Sequence, residues 1–277
     1  MNKIKVSHEL PLCLLPYSEH INDYEYILVH LLDKYPSYLE HMLKAKEKGT
    51  FIIMDNSAHE LKEPYSDEKL FEWVNIIKPN IFIVPDYIED KTRSSVKAKE
   101  WANVILPAGV EKMAVVQATS FADALESYTL YKDLGYKYIS FPYGSNYYTE
   151  LSNHPNKDFA KAIGRNIVVS KLYKLGVISD TDRIHLLGCS IPNEFFLYQN
   201  MSFIKSVDTS NPIASAFEGI EYDINGLSVK PKIKIDEIME MELSKETLKT
   251  VLINSFRFRR INNFSPITIL HQELLNV

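Results

Sequence analysis

Four polar residues stand where apolar runs stop, and their types are those of a hydrolytic or group-transfer site: Asp55 after "FIIM", Asp86 after "IFIVP", Gln117 after "KMAVV" and Asp208 after "FIKSV". A carboxylate so placed can act as a nucleophile or as a general acid and base, and an amide beside it can read a donor and acceptor pattern. Each residue also has a plain structural explanation. An aspartate after a strand caps the next helix or forms a turn, and a glutamine there satisfies a loop backbone. Of the histidines, His59 lies in the loop beside Asp55, whereas His185 sits inside "RIHLLG" and reads as a packed, hydrogen-bonded core residue. Neither joins a metal-binding spacing, and Ser and Cys lack the motif of an activated nucleophile, so we expect no metal and no cofactor.

The elements that must position these residues are short apolar runs: "YILVHLL" at 26, "FIIMD" at 51, "IFIVPD" at 81, "KMAVVQ" at 112, "YKYISFP" at 136, "RIHLLG" at 183 and "FIKSVD" at 203. They are near-continuously apolar rather than alternating, as strands read when helices cover both faces of a parallel sheet. Helical stretches lie between them. In "SDEKLFEWVNIIK", Ser66 is a cap and Leu70, Phe71, Val74 and Ile77 form one apolar face. In "SFADALESYTLYKDLG", Ser120 and Asp123 form a capping box, Phe121, Leu125 and Tyr128 share a face, and Gly135 ends the helix.

With an N-terminal strand around "LPLCLLPYS", the alternation gives eight strands, the number that closes a (β/α)8 TIM barrel of about 250 residues. A doubly wound open sheet is the alternative, but no Gly-x-Gly-x-x-Gly follows any strand. The expectation is one α/β domain over 1–277, with the barrel core in 1–220 and a C-terminal hairpin and helix elaboration in 221–277, where Asn225-Gly226 marks the hairpin and "SKETLKTVLINSFRFRR" the helix. A barrel of this kind brings its carboxyl strand ends to one mouth, so the four polar residues would meet there.

The 277 residues are 45% hydrophobic and 24% charged, an ordinary globular composition. There is no apolar run long enough to span a membrane and no secretion-signal pattern; with two cysteines, Cys13 and Cys189, a cytoplasmic protein without membrane association is expected. A formal charge of −5 argues against binding polyanions with the whole surface and leaves a local basic groove open.

Taken together, "MDNSAHE", "VPD", "VVQ", "SFPYG", "HLLG" and "SVDTSNP", in that order, resemble the tRNA-guanine transglycosylase family, and more closely its shorter viral and bacterial relatives that insert 7-deazaguanines into DNA. The resemblance covers about residues 50 to 230. It implies a pentosyltransferase in which Asp208 is the nucleophile and Asp55 the general acid and base. It further implies a base pocket of Asp86, Gln117, the turn at Gly144 and, through "HLLG", Gly188. His59 stands where the family places a stacking aromatic, and Ser57 and Ala58 stand where it has paired glycines. The family's Cys-x-Cys-x-x-Cys…His zinc segment is absent, which favours DNA over tRNA as partner.

In such a reaction a carboxylate holds the sugar between the leaving and entering bases while Asp55 manages protons. Asp86 would accept from N1 and N2 of guanine and Gln117 would donate to O6. In "SFRFRR" and "KPKIK", the cations Arg257, Arg259, Arg260 and Lys232, with Lys230 and Lys234 and the interleaved Phe256 and Phe258, would meet DNA, although a solvated helix end explains the arginines almost as well. The expected partners are DNA and a free 7-deazaguanine base, and a homodimer is compatible with the sequence. Three alternatives stand beside this reading: a tRNA-guanine transglycosylase, the family's non-catalytic partner subunit, and an unrelated barrel hydrolase or lyase on a small metabolite.

Overall fold

A computed structural model describes residues 4–189, 191–227 and 229–263. Its strands are β1 (Lys5–His8), β2 (Glu25–Leu28), β3 (Ile52–Asp55), β4 (Ile81–Ile83), β5 (Glu111–Val115), β6 (Tyr138–Pro142), β7 (Ile184–Leu187) and β8 (Ile204–Thr209). They form one eight-stranded parallel sheet in the order β1-β8-β7-β6-β5-β4-β3-β2, with helices alternating along the chain. The result is a nearly closed (β/α)8 barrel. Every residue of β2, β3 and β4 is buried, which is why these runs are apolar without alternation.

The helices follow their local signals. Ser66 Oγ accepts the Lys69 N–H at 3.3 Å to start the helix Asp67–Ile77, which buries Leu70, Val74 and Ile77. Phe71, expected on the same face, is 41% exposed. Ser120 Oγ accepts the Asp123 N–H at 3.1 Å, but the Asp123 carboxylate returns to the Thr119 N–H at 3.3 Å, so the box closes one residue early. Gly135 ends that helix at φ +83°. At Gly164 a side chain is excluded, since a Cβ would lie 2.1 Å from the Tyr148 carbonyl oxygen where the helix Lys157–Lys174 crosses the 3-10 segment Asn146–Leu151.

Two expectations about the termini are corrected. The first strand is Lys5–His8, not the run around "LPLCLLPYS"; Leu12–Tyr17 is a 3-10 helix containing Pro16, since proline cannot donate to a strand ladder. The Asn225-Gly226 turn makes one isolated antiparallel bridge, Asp223 to Gly226, rather than a two-stranded hairpin. The C-terminal helix does form, as Lys245–Asn263.

Side chains bridge the seam between β1 and β2. The Asn22 amide satisfies both backbone groups of His8, accepting its N–H at 2.7 Å and donating to its carbonyl at 3.2 Å. Asp23 Oδ2 accepts the Val6 N–H at 3.0 Å, while the Asp23 N–H donates to the Val6 carbonyl at 2.8 Å. The C-terminal helix braces this seam: Arg259 pairs with Asp23 at 3.1 Å and donates to the Ile21 carbonyl, and the Asn262 amide donates to the Ile4 carbonyl at 3.1 Å. Buried backbone groups at a gap in a ladder need such partners.

Candidate active site at the carboxyl ends of the strands

Asp208 is held through one of its two carboxylate oxygens. Its Oδ1 lies 2.8 Å from His185 Nε2 and accepts the Gly188 N–H at 3.0 Å. With Asp208 ionised, Nε2 carries the proton and the Ser206 hydroxyl, 2.8 Å from Nδ1, donates to the other ring nitrogen. His185 is thus the packed, hydrogen-bonded residue expected from its strand, and its partner is the carboxylate at the site. The ring stacks on Tyr26 with centroids 6.0 Å apart and planes inclined at 15°.

Gly188 can aim its N–H at Asp208 because it adopts φ +70°, a left-handed conformation natural to glycine. Its carbonyl is fixed from behind by Arg165, a side chain the sequence reading did not single out. Arg165 is wholly buried: it forms a fork with Glu194 at 2.7 and 2.8 Å and donates to the carbonyls of Phe141, Leu187 and Gly188 at 3.0 to 3.1 Å. It ties the ends of β6 and β7 together, and through Gly188 it sets the nucleophile candidate's hydrogen bond.

Asp55 faces the same mouth. Burial raises its carboxyl well above the usual range, and the charges of Glu60, Asp86 and Asp208 raise it further. Its Oδ2 accepts the Ser57 N–H at 3.2 Å. Ser57 takes φ +57°, the left-handed region a glycine would occupy more easily, and its hydroxyl lies 2.8 Å from His30 Nδ1. The turn after Asp55 thus takes a left-handed residue without a glycine to supply it.

Asp86 and Gln117 form one buried clamp. Asp86 Oδ1 accepts from the Asn56 amide at 2.7 Å and Oδ2 from the Gln117 amide at 2.6 Å, while Gln117 Oε1 accepts the Glu89 N–H at 2.9 Å. Burial pushes the Asp86 carboxyl up to about 6, against the lowering effect of those two bonds. Asp86 is therefore largely ionised at neutral pH. Each oxygen keeps a second lone pair, and Gln117 Nε2 keeps a second hydrogen to offer a ligand.

Two further carboxyls complete the floor. Glu9 follows β1 directly, its N–H bonding to the Thr209 carbonyl at 3.2 Å, and its carboxyl feels the charge of Asp208. Burial, then the charges of Asp208, Glu60 and Asp55, raise Glu9 well above the usual range. Glu60 is pushed up to about 7, mainly by burial, and its buried Oε2 has no hydrogen-bond partner among the described residues. Tyr26, beneath them, registers the same crowding: burial and the charges of Asp208, Asp55 and Glu9 raise its phenol. Glu9 obeys the strand-end rule that singled out the other acids, and was missed because β1 was placed too late.

The remaining expected residues divide. The Gly144 carbonyl accepts from Lys161 at 2.9 Å in the turn after β6, and His59 stands at the rim, its imidazole lowered by partial desolvation and by Lys62 and Lys230. The Arg259 guanidinium is engaged by Asp23 and the Ile21 carbonyl, and Phe258 is buried against His8 and Phe195. Arg257 pairs with Glu221 at 2.8 Å, Arg260 lies 5.9 Å from the ring of exposed Phe256, and Lys232 is exposed. Arg257, Phe256 and Arg260 line a cavity of about 430 Å³ with Ile224, Leu252 and Ile253, and no strand-end residue contributes to it.

Among the described residues, no group of three or more His, Cys, Asp or Glu side chains is set to hold a metal ion, and no helix is long and apolar enough to cross a membrane. No protein-family model and no curated protein matches the chain.

Proposed function

We propose that this protein is a base-exchange transglycosylase that replaces guanine in DNA with a 7-deazaguanine through a covalent aspartyl-sugar intermediate. The observation that carries the reading is the pairing of two unlike carboxyl groups at one mouth. Asp208 has one oxygen anchored by His185 and Gly188, and burial and neighbouring charge raise the Asp55 carboxyl well above its usual range, as suits a general acid. In the first half-reaction a carboxylate oxygen of Asp208 forms a bond to the anomeric carbon. The bond to guanine breaks with its electron pair on the base, which takes a proton from Asp55. In the second half-reaction Asp55, now ionised, removes a proton from the incoming base, whose nitrogen displaces Asp208.

The Asp86 and Gln117 clamp suits the guanine edge. Ionised Asp86 can accept from N1–H and the 2-amino group on its remaining lone pairs, and Gln117 can donate to O6. Adenine would leave buried partners unpaired, at a cost of about 1 to 3 kcal/mol. A guanosine in duplex DNA must be flipped out to reach the mouth, at a few kcal/mol.

The test is incorporation of labelled guanine, or of a 7-deazaguanine, into a DNA oligonucleotide, with an RNA of the same sequence in parallel. We expect exchange by the wild type and none by Asp208→Ala or Asp208→Asn. Exchange that survives in either variant removes the proposed nucleophile, and exchange into RNA alone makes the substrate tRNA-like. Stimulation of a second transglycosylase without exchange of its own would make the chain an accessory subunit.

A further inference from the structure

Three cations converge on the ring of Tyr143, the first residue after β6: Arg165 at 5.6 Å, Lys230 at 5.7 Å and Lys161 at 5.8 Å from its centroid. Arg165 is buried and forked on Glu194, so the outward charge belongs to the two lysines. Lys161 comes from the helix Lys157–Lys174 and Lys230 from the segment after the Asn225-Gly226 turn. Burial lowers the Lys161 ammonium, and the charges of Lys157 and Lys230 lower it further. Lys62, Lys230 and Lys234 act on His59 in the same sense, so lysines from three parts of the chain crowd one rim.

Two acids share the rim: Asp158 accepts from the Tyr143 hydroxyl at 3.2 Å and Glu89 accepts from the Asn146 side-chain amide at 2.9 Å, and the charges of both partly offset the lysines at Lys161. Below the rim lie Glu9, Asp55, Glu60 and Asp208. A chain of formal charge −5 has thus gathered like charges around one aromatic face, above a floor of carboxyl groups. That crowding is relieved when an anion sits at the rim while its uncharged part reaches the acids. A phosphodiester beside a sugar has this distribution, since ammonium groups neutralise phosphate and an aromatic face takes a stacked base.

We propose that Lys161 and Lys230, gathered on the Tyr143 ring, seat a phosphodiester of the nucleic-acid strand whose base is exchanged below; the proposal rests on the nucleic-acid reading of the site. The test is a fluorescence-anisotropy titration of labelled single-stranded DNA and RNA of one guanine-containing sequence, at several salt concentrations, with wild type, Lys161→Gln/Lys230→Gln, Lys161→Arg/Lys230→Arg and Lys48→Gln/Lys137→Gln. The glutamine pair should weaken binding about five- to tenfold at 50 mM salt and reduce the slope of log affinity on log salt by about 1.4, two phosphate contacts on a single strand. The arginine pair should retain binding, and Lys48→Gln/Lys137→Gln, at exposed lysines just ahead of β3 and β6 and so at the end of the barrel away from the mouth, should match wild type. Whichever polymer shows the larger lysine-dependent loss is the one seated there. An unchanged slope in the glutamine pair, or an equal loss in Lys48→Gln/Lys137→Gln, overturns the proposal. Binding requires no turnover, so a chain that binds through these lysines without exchanging bases would refute the transglycosylase reading alone.

Discussion

Replacing Arg165 with methionine should be among the most damaging single changes in this protein. The substitution keeps an unbranched apolar stem but deletes five hydrogen bonds, two to Glu194 and three to the carbonyls of Phe141, Leu187 and Gly188. It leaves Glu194 wholly buried, with only the Tyr198 hydroxyl at 3.1 Å to replace the guanidinium. Removing one partner of a buried pair costs about 3 to 5 kcal/mol, because the other charge stays desolvated and uncompensated. A typical domain has only about 5 to 15 kcal/mol in total. With a urea dependence of about 2 kcal/mol per molar, the unfolding midpoint should fall by about 2 M. Adding Glu194→Met to Arg165→Met removes the stranded charge and should recover a large part of the loss, though not the three carbonyl bonds. Urea titration followed by circular dichroism measures all three proteins. A loss below about 1 kcal/mol in the single variant, or a double variant no more stable than the single, would refute the claim that this pair ties β6 to β7.

Gly164→Ala should destabilise by about 1 to 3 kcal/mol, since the added methyl meets the Tyr148 carbonyl backbone and not a flexible side chain; thermal unfolding reads this directly. Glu60, raised to about 7, gives the pH dependence its sign. A carboxyl whose pKa rises on folding contributes stability that is complete below its ordinary value and is lost as pH climbs through the raised one. Glu60→Gln should therefore gain stability relative to wild type between pH 5 and pH 8, and a gap that stays constant or shrinks would contradict the crowded floor. Asp86→Asn should erode guanine preference by about ten- to a hundredfold in kcat/KM without abolishing turnover of a bound base, measured by competition between guanine and adenine.

The seven strands from β2 to β8 were legible because burial on both faces leaves near-continuous apolar runs, and the residues ending four of them mark the mouth. β1 was not, because "KVSH" is short, ends on buried Ser7 and His8, and lies just before the more apolar "LPLCLLPYS". That displacement concealed Glu9. The β1 to β2 seam could not be anticipated either, since Asn22 and Asp23 replace ladder bonds with side chains and only the assembled barrel shows which carbonyls need them. In "SFRFRR" the alternation of aromatic and basic letters suggested a single binding face, but helical rotation sends Phe258 inward, leaves Phe256 outside and turns Arg259 onto Asp23. Arg165 gave no signal in "AIGRNIV", since its partners come from β6, β7 and a 3-10 turn far along the chain.

The claim that Asp208 takes the sugar is tested most directly by trapping it. The protein is incubated with a guanine-containing DNA strand and no incoming base, denatured, digested and analysed by mass spectrometry. The expected result is release of one guanine per adduct and a peptide carrying the abasic strand's sugar on Asp208, absent from Asp208→Asn. An adduct on another residue, or one that forms equally in Asp208→Asn, would contradict the account.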